Sequence, residues 1–229
     1  MGLKIRSHSG EPRFTSINYF GKPIFDLTVA AKIGHNTRPF RCVKEIQDKA
    51  EEAGLAVQVL PLDQAHITVL NPIFRMEGKG IVPQKHEQTE LFNEFKNALA
   101  QFSWSSELLL PLTLNFNEIF VRQRDVKLMA LRSDELDAVQ LDLQNKINNL
   151  KDRRFDFSEG LPHIDGRFFT TILRFKEGFS HQNYDKLMEI LYETSFKFRD
   201  KPLNMRITLN CIKAVQFNSL FEPWVKERF

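Results

Sequence analysis

The chain has 229 residues, enough for one large domain or two small lobes around a sizeable core. Hydrophobic residues make up 42% and charged residues 27%, the balance of an ordinary globular protein. A net charge of +3 suits a phosphate-bearing ligand and falls far short of a nucleic-acid-binding tail. Two cysteines, Cys42 and Cys211, do not make a disulfide framework, and no apolar run is long enough to cross a bilayer, so a cytoplasmic location without membrane contact is expected.

Residues 1–24 are polar and turn-rich, with Gly10, Pro12, Gly21 and Pro23, and read as an N-terminal arm. They carry no signal-peptide core, and Arg6 stands where a myristoylation start needs a small or hydroxyl residue. Residues 24–33 are apolar and β-rich, a strand. From 38 to 53, Phe40, Val43, Ile46, Ala50 and Ala53 recur at helical spacing, with Pro39 suited to the first turn and Gly54 to the end. Residues 55–60 read as a strand, 61–64 as a turn, 66–70 as the next strand and 75–86 as a polar loop. A helix follows over 89–102, then strands over 108–114, 118–122 and 126–131. Ser133 is a good N-cap for a helix over 134–150, residues 151–165 form a charged loop, and 166–175 is a strand. A helix over 181–196 and a strand or hairpin over 205–217 complete the chain. Most of the 21 phenylalanines belong in a core, with a few free to stack on bases.

Two stretches carry chemistry. Ala65-His66-Ile67-Thr68-Val69-Leu70 is echoed by Phe169-Thr170-Thr171-Ile172-Leu173-Arg174. Residues i and i+2 of a strand share a face, so His66 stands beside Thr68, and Phe169 beside Thr171. Each frame ends a strand–helix–strand run of about 40 residues, 27–66 and 128–169, which suggests two related units with the frames at one cleft.

On these residues the chain resembles the two-histidine phosphoesterase superfamily, which includes 2′-5′ RNA ligase-like proteins, cyclic phosphodiesterases and viral 2′-5′ phosphodiesterases. Its hallmark is a pair of His-x-Thr/Ser strands, one per lobe, facing a central groove. His66-Ile67-Thr68 matches the first; Phe169-Thr170-Thr171 lines up with the second but has Phe169 in place of histidine. The resemblance runs over residues 25–219, including 128–132 as the middle segment and 207–217 as the closing strands. It implies an α+β fold, with two pseudo-symmetric lobes whose antiparallel sheets line the groove and whose helices pack outside. Residues 25–229 would form this single bilobal domain, expected to be a monomer.

The implied activity is a metal-independent, cofactor-free phosphodiesterase acting on RNA ends or on cyclic or 2′-5′-linked nucleotides. Such chemistry needs a base for the attacking oxygen and an acid for the leaving oxygen, and two imidazoles of ordinary pKa about 6.5 supply both. Hydroxyls bind the non-bridging oxygens. His66, Thr68 and Thr171 are the candidate catalytic residues; Phe169, Arg167 and His163 are candidate substrate-binding residues. His163 shares the parity of Phe169 but reaches the cleft only if residues 162–166 fold back as a turn. Arg174, of opposite parity, is expected to face away. His35 suits a lobe edge, and His8, His86 and His181 the surface. No Cys/His cluster has metal-ligand spacing. A catalytically inactive nucleotide- or RNA-binding module on the same fold is the alternative. An unrelated α+β interaction protein, in which His66-Ile67-Thr68 is accidental, is the third reading; if Thr68 and Thr171 lie on opposite sides of the fold, both nucleotide readings fail.

Overall fold

Thr37 starts the first helix of the fold in a computed structural model of the chain, which describes residues 3–8, 26–62, 65–70, 73–74, 85–100, 111–131, 134, 155–156, 167–207 and 212–217. The Thr37 hydroxyl accepts from the Phe40 N–H at 3.3 Å, Pro39 sits in the first turn, and Gly54 follows the end with φ +64°. Such a cap contributes about 1 kcal/mol, and the positive φ suits glycine because it has no Cβ to clash.

The strands in chain order are β1 (Lys4–Ser7), β2 (Asp26–Lys32), β3 (Val57–Val59), β4 (His66–Leu70), β5 (Ile73–Phe74), β6 (Leu112–Val121), β7 (Asp125–Ala130), β8 (Phe155–Asp156), β9 (Phe169–Phe175), β10 (Leu203–Ile207) and β11 (Ile212–Phe217). The helices are α1 (Arg38–Glu52), α2 (Lys85–Ala100) and α3 (His181–Lys197), and the fold is α+β, as expected. The helix expected over 134–150 lies outside the described residues except for Asp134.

The larger sheet runs β1-β6-β7-β9-β3, with β10 also on β6. Phe116 pairs with both β7 and β10, and residues 118–121 pair with both β7 and β1. β10 and β1 therefore share one edge of β6, end to end. β1 runs parallel to β6, so this sheet is mixed rather than wholly antiparallel. It also means that the stretch read as an arm contributes an edge strand: the short alternation Lys4-Ile5-Arg6-Ser7 is lost in the polar average of its surroundings. From Leu112 on, the strands expected over 108–114 and 118–122 are one strand, β6, bulged at Asn117; residues 108–110 lie outside the described residues.

A smaller antiparallel sheet runs β11-β2-β4, leaving β4 at its edge. β10 and β11 thus belong to different sheets instead of forming a hairpin. β5 and β8 make a separate two-stranded pair.

One core joins both sheets. α1 contributes Phe40, Val43, Ile46 and Ala50, and α3 contributes Leu187, Ile190 and Leu191. The larger sheet adds alternate residues such as Leu114, Ile119, Leu128 and Ile172, the smaller adds Ala31 and Ile67, and Ile33 joins them just past β2. Each fully buried aliphatic side chain contributes about 1.5–3 kcal/mol, far more than the surface pairs joining α1 to α3, Lys49–Glu193 and Lys197–Glu45. Packing therefore decides which face of each sheet is covered by helices. Ala30, Phe120 and Met129 are buried too, but outside this core, on the opposite face.

Candidate functional site

β4 and β9 run side by side, with Cα atoms within 8 Å, although no hydrogen-bond ladder joins them. Ile67 of β4 and Ile172 of β9 enter the same core. His66, Thr68, Phe169 and Thr171 are half-buried and alternate with these inward residues, so each stands on the face of its own strand turned from that core. The parity expected for each frame holds, and the two strands that carry the frames adjoin.

A second likeness joins the frames. In β4, Thr68 pairs with Ala30 and Leu70 with Val29, leaving Val69 as an extra residue. In β9, Thr171 pairs with Lys127 and Leu173 with Val126, leaving Ile172 as an extra residue. A β-bulge thus follows each threonine immediately. Bulges sharpen the local twist and re-aim side chains, and often lie beside active sites.

The bulge in β9 changes a residue assignment. Ile172 and Leu173 are consecutive and both fully buried, so the alternation slips by one. Arg174, opposite Asp125, therefore returns to the face of Thr171 and Phe169 instead of pointing away. Strict alternation gave the opposite answer because it counts residues and cannot see the inserted one. The Ile172 carbonyl accepts from Gln47 Nε2 at 2.7 Å, and the same amide donates to the Leu60 carbonyl at 3.0 Å. Gln47 is buried on an otherwise apolar helix face, where it satisfies two backbone acceptors.

Lys127 is the site residue that the sequence reading overlooked. It lies directly opposite Thr171 and is buried, with its Nζ 3.7 Å from the centroid of the Phe169 ring. Its Nζ lies 3.5 Å from Asp125 Oδ2. Burial pushes the ammonium down to about 8; Asp125 opposes this, while Arg122 and Arg174 reinforce it. The available sign was a lysine inside the apolar run Val126-Lys127-Leu128-Met129-Ala130.

Arg167 shares this face, but its guanidinium is engaged. Nε donates to the Ala130 carbonyl at 2.5 Å, Nη1 to Glu118 Oε2 at 3.1 Å and Nη2 to Asn117 Oδ1 at 2.8 Å. Glu118 also receives Arg6 Nε at 2.8 Å, and Arg6 covers the Phe120 ring at 3.9 Å. Arg167 thus braces β6 against β7 and β9, since the bulge at Asn117 brings Glu118 opposite Met129 on this face. Phe169 lies beneath the Lys127 ammonium.

His163 lies outside the described residues, as does Cys211. His35 is exposed in the turn after β2, its ring 4.6 Å from that of Phe40, and His8, His86 and His181 are exposed. The Cys42 thiol is buried, and that burial, aided by Glu45 and opposed by Arg38, pushes it up to about 12. Among the described residues, no three His, Cys, Asp or Glu side chains gather to hold a metal ion, and no helix is long and apolar enough to cross a membrane.

No family model matches the sequence, and no curated protein matches it. A solved structure of a conserved protein of unknown function from Agrobacterium tumefaciens strain C58 is similar, with a TM-score of 0.62 and 13% identity over 95% of this chain and 90% of that one. At that identity the likeness establishes a shared fold alone.

Proposed function

We propose that the chain is a metal-independent phosphodiesterase of two-histidine type, acting on RNA ends or on cyclic or 2′-5′-linked nucleotides, with His66 as its surviving imidazole. The observation that carries this reading is the matched pair of frames. Each places a residue and a threonine two positions later on the half-buried face of its strand, the two strands adjoin, and each threonine is followed by a bulge. His66 takes the proton of the attacking oxygen, while the Thr68 and Thr171 hydroxyls hold non-bridging phosphate oxygens. One chain carries both frames, so a monomer suffices, and nucleotide substrates and a buried, unreactive Cys42 thiol suit a reducing cytoplasm.

The second reading, a nucleotide- or RNA-binding module without turnover, is favoured by Phe169 in the place of the second acid. One assay separates the two: hydrolysis of 2′,3′-cyclic nucleotides and 2′-5′-linked oligonucleotides with chelator present, by the wild type and Phe169→His. The enzyme reading expects slow, chelator-insensitive wild-type turnover, raised by the restored imidazole by about 10²-fold or more. Wild-type binding without turnover, with activity gained only in Phe169→His, supports the module. Absence of both binding and turnover in both proteins contradicts each reading.

A further inference from the structure

We propose that Lys127 is the proton donor that the second frame lacks at Phe169, holding the phosphate of a nucleotide and protonating the oxygen that leaves it. This rests on the reading of the two frames as one phosphodiester site.

The geometry singles out this lysine. Its backbone pairs with that of Thr171, the hydroxyl residue of the second frame. Its Nζ, 3.7 Å from the Phe169 ring centroid, occupies space next to the side chain that would otherwise be the second imidazole. An ammonium carries three N–H donors, and at 3.5 Å Asp125 is beyond the roughly 2.7–2.9 Å of a tight charge-assisted bond. The ion pair is therefore loose enough to admit a phosphate oxygen as a second acceptor. Among the described residues, the charged groups that act on Nζ are Asp125 from its own strand, Arg122 from the β6–β7 turn and Arg174 from β9. The paired residue on β6 is Phe120, with Glu118 and Arg6 farther along that face and already joined to each other.

The step balances as follows. Water attacks phosphorus in a 2′,3′-cyclic phosphate, forming a P–O bond, and its proton passes to His66. The bond from phosphorus to one ribose oxygen breaks, and the electron pair stays on that oxygen, which takes a proton from Lys127 Nζ. The products are a nucleoside monophosphate, an imidazolium and a neutral amine, and the last two exchange protons with water before the next cycle. An amine with pKa about 8 is mostly protonated at neutral pH yet gives up its proton more readily than an ordinary lysine.

The experiment compares wild type, Lys127→Arg and Lys127→Met, with turnover of 2′,3′-cyclic AMP in chelator across neutral and alkaline pH and binding of 2′-AMP by calorimetry. Thermal melts check folding, because methionine fills similar volume but leaves Asp125 without its ammonium, whereas Lys127→Arg keeps the charge pair. Wild-type turnover is expected to fall as pH rises through about 8, where the ammonium is lost. Lys127→Arg should bind 2′-AMP within about threefold of wild type but lose about 10²-fold in kcat and that alkaline limb, because a guanidinium does not release its proton in this range. Lys127→Met should lose both binding and turnover. Wild-type-like turnover in either variant overturns the proposal and leaves the two-frame reading standing. A wild type that binds 2′-AMP without turning over 2′,3′-cyclic AMP overturns the proton-donor role, and one that does neither overturns the two-frame reading as well.

Discussion

His66→Ala is expected to slow metal-free hydrolysis of a 2′,3′-cyclic nucleotide by about 10²–10⁴-fold, the usual contribution of one positioned acid/base group. That loss corresponds to about 3–5.5 kcal/mol of transition-state stabilisation. It should appear in kcat more than in KM, because in the proposed reaction the imidazole moves a proton at the transition state while Thr68 holds the phosphate. The fold should tolerate the change. His66 is half-buried on the edge strand β4, opposite Lys32 and turned from the core that Ile67 enters, so truncation opens no cavity in the core. Rates are compared at equal folded fraction, checked by circular dichroism. A kcat within about threefold of wild type would remove His66 from the chemistry.

Gln47→Leu is expected to cost about 2–5 kcal/mol of stability, although leucine has nearly the same volume and suits a helix. The reason is hydrogen bonding. The Gln47 amide is the donor to the carbonyls of Leu60 and Ile172, and a buried acceptor left without a partner costs about 1–3 kcal/mol. For a chain of this size each kcal/mol lowers Tm by about 2–4 °C, so the loss is easily measured. Activity should fall as well, since Ile172 is the bulge residue that follows Thr171. An unchanged Tm would mean that water or another donor satisfies both carbonyls, and that Gln47 does not brace the bulge.

Much of this architecture was legible in the residues. The spacing of Phe40, Val43, Ile46 and Ala50 marks α1, and Pro39 and Gly54 mark its ends, because amphipathic periodicity and cap chemistry are local. Alternation likewise places His66 beside Thr68 and Phe169 beside Thr171. Pairing is not local. Ile207 and Ile212 look like two arms of one hairpin, yet β10 joins β6 and β11 joins β2, and only the tertiary fold distinguishes these. Bulges defeat the period directly: one extra residue at Ile172 turns Arg174 onto the candidate site, and one at Asn117 made a single strand read as two. Lys127 and Gln47 escaped notice for a common reason. Each is a polar residue in an apolar run, which composition treats as a flaw and which tertiary partners alone explain.

The most direct test of whether the two frames meet at one phosphate is an NMR titration of the wild-type protein with 2′-AMP in the presence of chelator, following assigned backbone amides and threonine methyls. Thr68 and Thr171 should shift together, with a single binding constant shared by His66 and Lys127. Shifts confined to one of the two strands, or two different binding constants for Thr68 and Thr171, would contradict a common site.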